Sequence, residues 1–406
     1  MDNIKQIICS ARWKKGTMPL LSMIISLLLF LALADTSSAR TQNVTFTLSW
    51  EDNSNNEDGF VLQRREGRQG SQFVDVATVG AGVVSAEDTI TESVGNVTYC
   101  YRVLAYNGAG RSGSSNEVCK TTPAIGPVTI FVNCSTASLQ TALLSVFPGD
   151  TLSVSGTCDE NVRVPNDVAT IFLDGGGTAV INGVDSSQPA IDARGKALLI
   201  QGFTITGGSS GITVQRESKA LINNNVIQNT GGSGVVVSQL GFAVLINNTI
   251  QGNAGDGVAV EDRAAARIGF NNDTETLASP NTIRGNGGNG VTVTGSSSAR
   301  VVGNVINTNG RYGVRVTGLS QADTAGNMID NNGGAGIFVG QNSVVNLGEN
   351  TGTTIFDLPN STNDNNIGVG VECAGGGIAE GRLGTLAGDL GLTSFPAGSG
   401  CINDLM

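Results

Sequence analysis

The chain has 406 residues, of which 57 are glycine, 39% are hydrophobic and 14% are charged. The apolar fraction excludes a disordered chain, and the high glycine content favours a β protein rich in turns. The net charge of −11 argues against nucleic acid as a partner, and the absence of histidine excludes Ser-His-Asp catalysis, Cys-His catalysis and histidine-ligated zinc.

The N-terminus has the features of a secretion signal. A basic stretch from Lys5 to Lys15 precedes an apolar run, which ends at the small-x-small sequence Ala32-Leu33-Ala34. The run is about 15 residues long, whereas a membrane-spanning helix needs about 20. We therefore predict a signal peptide over residues 1–34 rather than a retained anchor, and no membrane span in the mature chain. The protein is expected to be secreted and extracellular, or at the periplasm or cell surface if bacterial.

Residues 41–123 contain short runs of alternating apolar and polar residues. Val44–Trp50 alternates as a half-buried strand, and Asp58–Arg65 and Val97–Asn107 have the composition of two further strands. About seven short strands in about 80 residues predict a β-sandwich. The segment from Thr121 to Pro127 is a short linker to the next domain.

This segment resembles the fibronectin type III domain. The residues that carry the resemblance are Trp50, then Tyr99, Tyr101, Val103 and Ala105 on one face of a strand, and Ser115–Thr122 as the last strand. The resemblance implies that Tyr99 is the corner tyrosine, whose hydroxyl group bonds back to the backbone. Trp50 is expected in the core rather than against a bound sugar.

A glycine followed by Ile or Val recurs through the second half of the chain. These glycines are Gly211, Gly234, Gly257, Gly290, Gly313 and Gly336. They are 23 residues apart, except for one interval of 33, which carries ten extra residues. A fixed period of this size indicates a solenoid, in which each repeat stacks on its neighbours to bury its apolar face.

Within each repeat the apolar residues lie two apart, which is the periodicity of a strand. Leucine-rich and helical solenoids do not fit, because asparagine and glycine interrupt every run. We therefore predict a parallel β-helix with three short strands per coil and coils about 4.8 Å apart. Two columns of the repeat are Asn225, Asn248, Asn281, Asn304 and Asn327, and Ile227, Ile250, Ile283, Ile306 and Ile329. The asparagines are expected to form an internal amide ladder or to occupy turns rather than to bind a ligand.

The repeat resembles the right-handed parallel β-helix of the pectin-lyase-like superfamily. Asn225–Val237 and its later copies carry the resemblance, together with Ser138–Leu144, Pro148–Leu152 and Leu173–Gly177 near the start. It covers residues 126–406 and implies an amphipathic helix that caps the first coil. The superfamily includes pectate lyases, polygalacturonases, epimerases, viral tailspikes and non-catalytic surface proteins. The predicted fold class is all-β, a fibronectin type III-like β-sandwich followed by a right-handed parallel β-helix with N- and C-terminal caps.

The cysteine count agrees with export. The chain has seven cysteines, and loss of Cys9 with the signal peptide leaves an even number. Metal binding is the weaker alternative because the chain has no Cys-x-x-Cys motif and no histidine. Several pairings are formally open, but local pairs are favoured because each brackets a hairpin or an end of the solenoid, where strand edges need cover. The favoured pairs are Cys100–Cys119, Cys134–Cys158 and Cys373–Cys401.

Acidic residues cluster in the repeat that carries the ten-residue insertion. They are Asp256, Glu261, Asp262, Asp273 and Glu275, with Arg263 and Arg267 between them. Insertions in a solenoid form loops over one face, often the binding face. Carboxylates on a loop suit Ca²⁺, and the candidate ligands are Asp262, Asp273 and Glu275. The competing interpretation is a solvated, charge-compensated loop without a ligand, in a protein that requires no cofactor.

The outward position of the strand after each glycine forms a strip of small and apolar residues. Its members are Thr213, Val236, Ala259, Thr292, Arg315 and Phe338. The strip has no row of aromatic residues for stacking on sugars. We expect Arg315, a candidate binding residue, to bond with Glu261 or Asp323 rather than to act as a base.

Two functions of different classes remain. The favoured one is a secreted, non-catalytic surface or extracellular protein whose β-helix binds a polysaccharide or a cell-surface or matrix protein, because Ser, Thr, Gly and Asn dominate the outer faces. The alternative is a carbohydrate-active enzyme, either a Ca-dependent polysaccharide lyase or a glycoside hydrolase. The resemblance implies that a lyase would use an acidic Ca²⁺ site with an arginine or lysine base, and the paired-aspartate and Gly-His-Gly motifs of the family's polygalacturonases are absent. No catalytic residue is assigned. The candidate binding residues are Asp256, Glu261, Asp262, Arg263, Asp273, Glu275 and Arg315.

Overall fold

The computed structural model describes ten segments of the chain, residues 7–11, 41–68, 70–92, 95–124, 126–166, 170–194, 197–271, 277–348, 358–362 and 365–406. The chain divides into two compact units, Met1–Gly126 and Pro127–Met406. Both units are built from β-strands, and the described residues contain one short α-helix. No helix in these residues is long and apolar enough to cross a membrane. The predicted signal peptide over residues 1–34 lies outside the described residues, except for 7–11.

The first unit consists of two antiparallel sheets that share one core. Its strands are β1 (Ile7–Ala11), β2 (Gln42–Trp50), β3 (Gly59–Glu66), β4 (Val74–Gly80), β5 (Ser85–Glu92), β6 (Thr98–Asn107), β7 (Gly110–Arg111) and β8 (Val118–Thr121). Sheet I has the order β1-β2-β5, and sheet II has the order β4-β3-β6-β7 with β8 paired to β6. Phe46, Leu48 and Trp50 of sheet I pack against Phe60 and Tyr101 of sheet II. Trp50 is therefore a core residue, as the sequence predicts.

The expected bond of Tyr99 to the backbone is wrong. The Tyr99 side chain is buried, and its hydroxyl group donates to the Glu92 carboxylate at 3.5 Å. Burial raises the pKa of the Tyr99 hydroxyl group, and the neighbouring charge of Glu92 raises it further. The Tyr99 ring is therefore held by a carboxylate of β5. The spacing of residues in the sequence does not reveal this contact.

The second unit is a solenoid with up to three strands per coil. In chain order its elements are β9 (Thr129–Asn133), α1 (Leu139–Leu143), β10 (Thr151–Ser155), β11 (Thr157–Cys158), β12 (Val162–Val164), β13 (Ile171–Gly183), β14 (Ile191–Ala193), β15 (Leu198–Gly207), β16 (Ile212–Val214), β17 (Lys219–Asn223), β18 (Val226–Gln228), β19 (Val235–Val237), β20 (Phe242–Ile246), β21 (Thr249–Gln251), β22 (Val258–Val260), β23 (Ala265–Ile268) and β24 (Thr282–Arg284). The rest are β25 (Val291–Val293), β26 (Ser298–Val302), β27 (Val305–Asn307), β28 (Val314–Val316), β29 (Gln321–Ala325), β30 (Met328–Asp330), β31 (Ile337–Gly340), β32 (Val344–Leu347), β33 (Val371–Ala374), β34 (Ile378–Gly381), β35 (Thr393–Ser394) and β36 (Ile402–Leu405).

Equivalent strands of successive coils pair in parallel and in register. Sheet III contains β12, β14, β16, β19, β22, β25, β28, β31, β33 and β35 in that order. Sheet IV contains β17 and its copies, sheet V contains β18 and its copies, and the long strand β15 pairs with both. The five predicted isoleucines are paired one on the next and have no exposed surface. The parallel β-helix and its stacked columns are confirmed.

The asparagine column forms the expected amide ladder. Each side-chain Nδ2 donates to the Oδ1 of the next asparagine, as Asn281 does to Asn304 at 2.9 Å and Asn304 to Asn327 at 3.1 Å. Asn360 continues the ladder beyond the predicted residues. Buried amides that find partners above and below avoid the cost of an unsatisfied polar group. The ladder is thus a structural element, as predicted.

A second ladder, which the sequence analysis missed, runs along the corner between sheets V and III. Each member is hydrogen-bonded to the equivalent residue of the next coil. The members are Thr230, Asn253, Asn286, Asn309, Asn332 and Asn366. In most coils the residue before the ladder position has a positive φ, as Gly285 and Asn331 do. That left-handed residue turns the chain, so the next amide points inward.

The structure contains a second insertion besides the ten-residue one, and both begin at the corner between sheets IV and V. The first follows Gly269, which has a φ of 102°, and ends at the ladder residue Asn281. The second follows Gly348 and ends at the equivalent residue Asn360. In each case the ladder closes across the insertion, so the solenoid keeps its register while extra residues leave from one corner.

The two ends of the solenoid are covered as predicted. Ser138 caps helix α1 by accepting from the Thr141 N–H group, and Leu139 of the helix packs on the core. Leu383, Phe395 and Leu405 cover the other end. All three predicted disulfides are formed, Cys100–Cys119, Cys134–Cys158 and Cys373–Cys401. The last two pairs lie at the N- and C-terminal ends of the solenoid.

Candidate functional site: an outer groove on sheet III

The outward residues of sheet III form one continuous file. In register from coil to coil they are Asp192, Thr213, Val236, Ala259, Thr292, Arg315, Phe338 and Glu372. The six predicted outward positions are confirmed, and the register adds Asp192 before them and Glu372 after them. At one coil per 4.8 Å, the file is about 34 Å long, which suits an extended ligand.

A column of side chains flanks the file on each side. Ala259 and Thr292 point out of the sheet but are only 7% and 6% exposed, and the Asn289 side chain donates to the Thr292 hydroxyl group at 2.9 Å. One side is lined by Ser210, Ser233, Asp256, Asn289 and Tyr312, and the other by Gln215, Ser238, Glu261, Thr294 and Thr317. We call the file and these two sides the groove.

The groove contains an aromatic platform near its C-terminal end. The rings of Tyr312 and Phe338 are stacked, with centroids 4.8 Å apart and an interplanar angle of 28°. The guanidinium carbon of Arg315 lies 5.9 Å from the centre of the Phe338 ring. All three side chains are half-buried, so they are held in place but remain accessible. The strip itself has one aromatic residue, Phe338, as the sequence shows, and Tyr312 joins it from the side of the groove.

The prediction that Arg315 forms an ion pair with Glu261 or Asp323 is wrong. Arg315 lies over Phe338 and pairs with neither Glu261 nor Asp323. Asp323 is on sheet IV, where its carboxylate lies 3.8 Å from Arg300 and accepts from Asn346 at 2.7 Å. The cation of Arg315 is therefore directed into the groove.

Acidic groups in the groove differ in how firmly they are held. Asp256 Oδ1 accepts from the backbone N–H of Asn289 at 2.6 Å and from its side-chain amide at 3.0 Å. Burial raises the pKa of Glu261, and the charges of Asp256 and Asp262 raise it further. Burial also raises the pKa of Glu372. Glu261 and Glu372 are therefore more easily protonated than ordinary glutamates.

The remaining predicted site residues lie at a turn or outside the described segments. Asp262 and Arg263 have φ values of 54° and 61° and turn the chain from sheet III into sheet IV. Asp273 and Glu275 lie outside the described residues. In the described segments, the groups that could hold a metal ion are those of two disulfides with Glu117 or Glu160, and Asp262 is in neither. The Ca²⁺ site at Asp262, Asp273 and Glu275 stays a prediction.

The described ends of the insertion lie away from the groove. Phe270 is fully buried and packs with Val302 on the outside of the coil, and Arg267 and Arg300 have their guanidinium carbons 5.6 Å and 5.3 Å from its ring. Arg267 also donates to the Asn271 carbonyl group at 3.1 Å. The insertion thus starts against sheet IV, whereas Asp256 and Glu261 line sheet III.

At its N-terminal end the groove is closed by an ion-pair cluster. The Asp192 carboxylate is 3% exposed and accepts from Arg163 at 3.2 Å, Arg194 at 2.7 Å and Gln215 at 2.7 Å. A cavity of about 310 Å³ lies beside it and is lined in part by Gln188. Because the Asp192 carboxylate is fully engaged, this end of the groove is rigid and polar.

Three-stranded coils stacked in register around a buried core define the class of parallel β-helix solenoids. The chain matches the family model of the right-handed β-helix region over residues 151–276 and 263–379, which together make up more than half of its length. It therefore belongs to the right-handed β-helix family.

The chain also aligns with several solved structures at low identity and low TM-score. The chain is similar to the A-module of Azotobacter vinelandii mannuronan C-5 epimerase AlgE6, with 15% identity over 68% of this chain and 88% of that chain and a TM-score of 0.39. It is also similar to Erwinia chrysanthemi pectate lyase PelI in complex with tetragalacturonic acid, with 13% identity, 83% and 85% coverage and a TM-score of 0.22. The periplasmic alginate epimerase AlgG gives 14% identity, 70% and 76% coverage and a TM-score of 0.37. A search of curated proteins found no match.

Proposed function

We propose that the protein is exported and binds a polysaccharide along the groove of sheet III without changing it chemically. The observation that carries the proposal is the stacked pair of Tyr312 and Phe338 beside Arg315. Aromatic rings offer a rigid apolar face for a sugar ring, and the neighbouring polar groups can bond to hydroxyl groups. The length of the groove fits a chain of several sugars better than a small molecule.

The other residues of the groove suit binding more than catalysis. Ser210, Thr213, Asn289 and Thr292 are bonded to one another in pairs within the same coil, so they present fixed hydroxyl and amide groups to a ligand. Paired carboxylates of glycoside hydrolases lie within about 10 Å of each other, whereas Glu372 is four coils, or about 19 Å, from the coil of Glu261. Asp256, in the same coil as Glu261, is held by two hydrogen bonds from Asn289. We infer a binding protein in which the first unit, with its fibronectin type III-like pattern, serves as a spacer.

A second candidate is a carbohydrate-active enzyme of the polysaccharide-lyase type. The observation in its favour is the raised pKa of Glu261 and Glu372, both of which border the groove. A raised pKa favours the protonated carboxyl group, which is the form that acts as a general acid. Incubation of the protein with acidic polysaccharides, with and without Ca²⁺, tests this candidate. An unsaturated product that absorbs ultraviolet light would establish it and overturn the non-catalytic proposal.

The binding proposal is tested by a screen of immobilised polysaccharides followed by variants of the platform. We expect Tyr312→Ala and Phe338→Ala each to weaken binding of the best ligand by about fivefold, since a stacking contact is worth about 1 kcal/mol. Phe242→Ala is the matched control, because Phe242 is a half-buried ring on sheet IV. Equal losses in all three variants, or binding to no polysaccharide at all, would contradict the proposal.

A further inference from the structure

Sheet I would lose one of its three strands on removal of the predicted signal peptide. Its order is β1-β2-β5, and β1 comes from residues 7–11, inside the segment 1–34. In the structure β1 pairs antiparallel with β2 over five residues, from Ile7 opposite Trp50 to Ala11 opposite Phe46. Among the described residues, β2 would have no partner on this edge once residues 1–34 are removed. The structure itself shows that this edge accepts an added antiparallel strand.

The β2 edge has none of the features that protect other edges. Gln42–Trp50 contains no charged residue and no proline. The opposite edge of the sheet, β5, carries Glu87, Asp88 and Glu92, of which Asp88 and Glu92 are buried and point inward. Inward-pointing charges on an edge strand discourage pairing with another chain, and an uncharged edge invites it. One edge of sheet I is therefore blocked, and the other is available.

We infer that, after loss of residues 1–34, β2 pairs antiparallel with β2 of a second copy of this chain. A two-fold register centred on Thr47 places Phe46 opposite Leu48 of the other copy and Val44 opposite Trp50, so the core-facing residues of both strands stay on one face. It brings no like charges together, because the strand has none. Phe46, Leu48 and Trp50 are 2%, 0% and 5% exposed while β1 is in place, and the second copy would cover the same edge. Such a contact is isologous and closes at two copies.

The inference rests on export with cleavage of residues 1–34, and it is independent of sugar binding on sheet III. The experiment measures the molar mass of the processed chain, residues 35–406, by light scattering over a range of concentrations, with its N-terminus verified by mass spectrometry. We expect twice the mass of one chain. In Thr47→Lys two lysines would face each other at the centre of the contact, and we expect the mass of a single chain.

Thr89→Lys is the matched control. Thr89 faces the same side of sheet I but lies on β5, away from the proposed contact, so its lysine variant should keep the double mass. Amide exchange of β2 gives a measurement that needs no variant, since β2 should lose protection when the wild-type protein is diluted. A single-chain mass for the wild type at every concentration, or a double mass for Thr47→Lys equal to that of Thr89→Lys, would overturn the inference.

Discussion

The interior and the outer groove of the β-helix follow opposite rules. Inside, the same residue type stacks on itself from coil to coil, as in the isoleucine column and the Asn281–Asn304–Asn327 ladder. Outside, the file of sheet III changes from threonine to valine, alanine, arginine, phenylalanine and glutamate. The repetition specifies the fold, because each coil needs the same partner above and below. The departures from repetition mark the groove, because a binding site needs different groups at different places.

The largest expected effect comes from breaking the interior ladder. Asn304 accepts from the backbone and side chain of Asn281 and donates to Asn327 and to the Ile268 carbonyl group, all of them buried. Asn304→Ala removes these hydrogen bonds from the middle of the buried ladder, and we expect the free energy of unfolding to fall by about 3–5 kcal/mol in denaturant titrations. The outward residue Asn307 of the same coil is the control, and Asn307→Ala should cost less than about 0.5 kcal/mol. An equal loss of stability in Asn304→Ala and Asn307→Ala would refute the distinction between interior and outward residues.

Opening the C-terminal cap is expected to cost less. Cys373 is fully buried in sheet III, and its disulfide to Cys401 closes 28 residues of chain over the last coil. Replacing both cysteines with serine should lower the free energy of unfolding by about 2–4 kcal/mol. Amide exchange should then rise first in β33–β36 and leave the central coils protected, since coils of a solenoid depend mainly on their neighbours. Uniform loss of protection along the solenoid would show that this cap supports the whole unit.

The groove predicts a pH dependence of stability. Burial raises the pKa of Glu372 in the folded state above its value in the unfolded chain. The stabilisation from its protonated form is therefore complete below the unfolded pKa and is lost as the pH rises through the folded pKa. Glutamine cannot lose a proton, so Glu372→Gln keeps its stability as the pH rises. The melting midpoint of this variant should exceed that of the wild type near neutral pH and match it at acidic pH. A constant difference between the two proteins across this range would exclude Glu372 as the cause.

Sequence accounts for the interior better than for the groove, for a physical reason. Register and period fix which residues stack, so the isoleucine column, the first ladder and all three disulfides could be predicted. The second ladder was also readable, because an asparagine lies four residues before four of the six repeated glycines, Gly257, Gly290, Gly313 and Gly336. Tyr312 was missed because the residue before the glycine varies from coil to coil, and stacking on Phe338 depends on side-chain directions. The partner of Arg315 was missed for the same reason.

The smallest expected effect concerns Ca²⁺. A binding groove built from rings, hydroxyl groups and amides requires no metal, so we expect Ca²⁺ or a chelator to leave both the melting midpoint and the affinity for polysaccharide nearly unchanged. A ligand that binds the native state must raise the midpoint. A rise with Ca²⁺ that disappears in Asp262→Ala would instead support the calcium site predicted from the acidic cluster, and the groove would then share its role with the inserted coil.

The central claim is that the irregular outer file of sheet III, and not another face of the solenoid, holds the ligand. A crystal structure of the protein with a bound oligosaccharide from the screen tests it most directly. We predict sugar rings over Tyr312 and Phe338, with a hydroxyl or carboxylate oxygen within hydrogen-bond distance of Arg315. A sugar chain bound along sheet IV near Phe242, with the sheet III groove empty, would contradict the account.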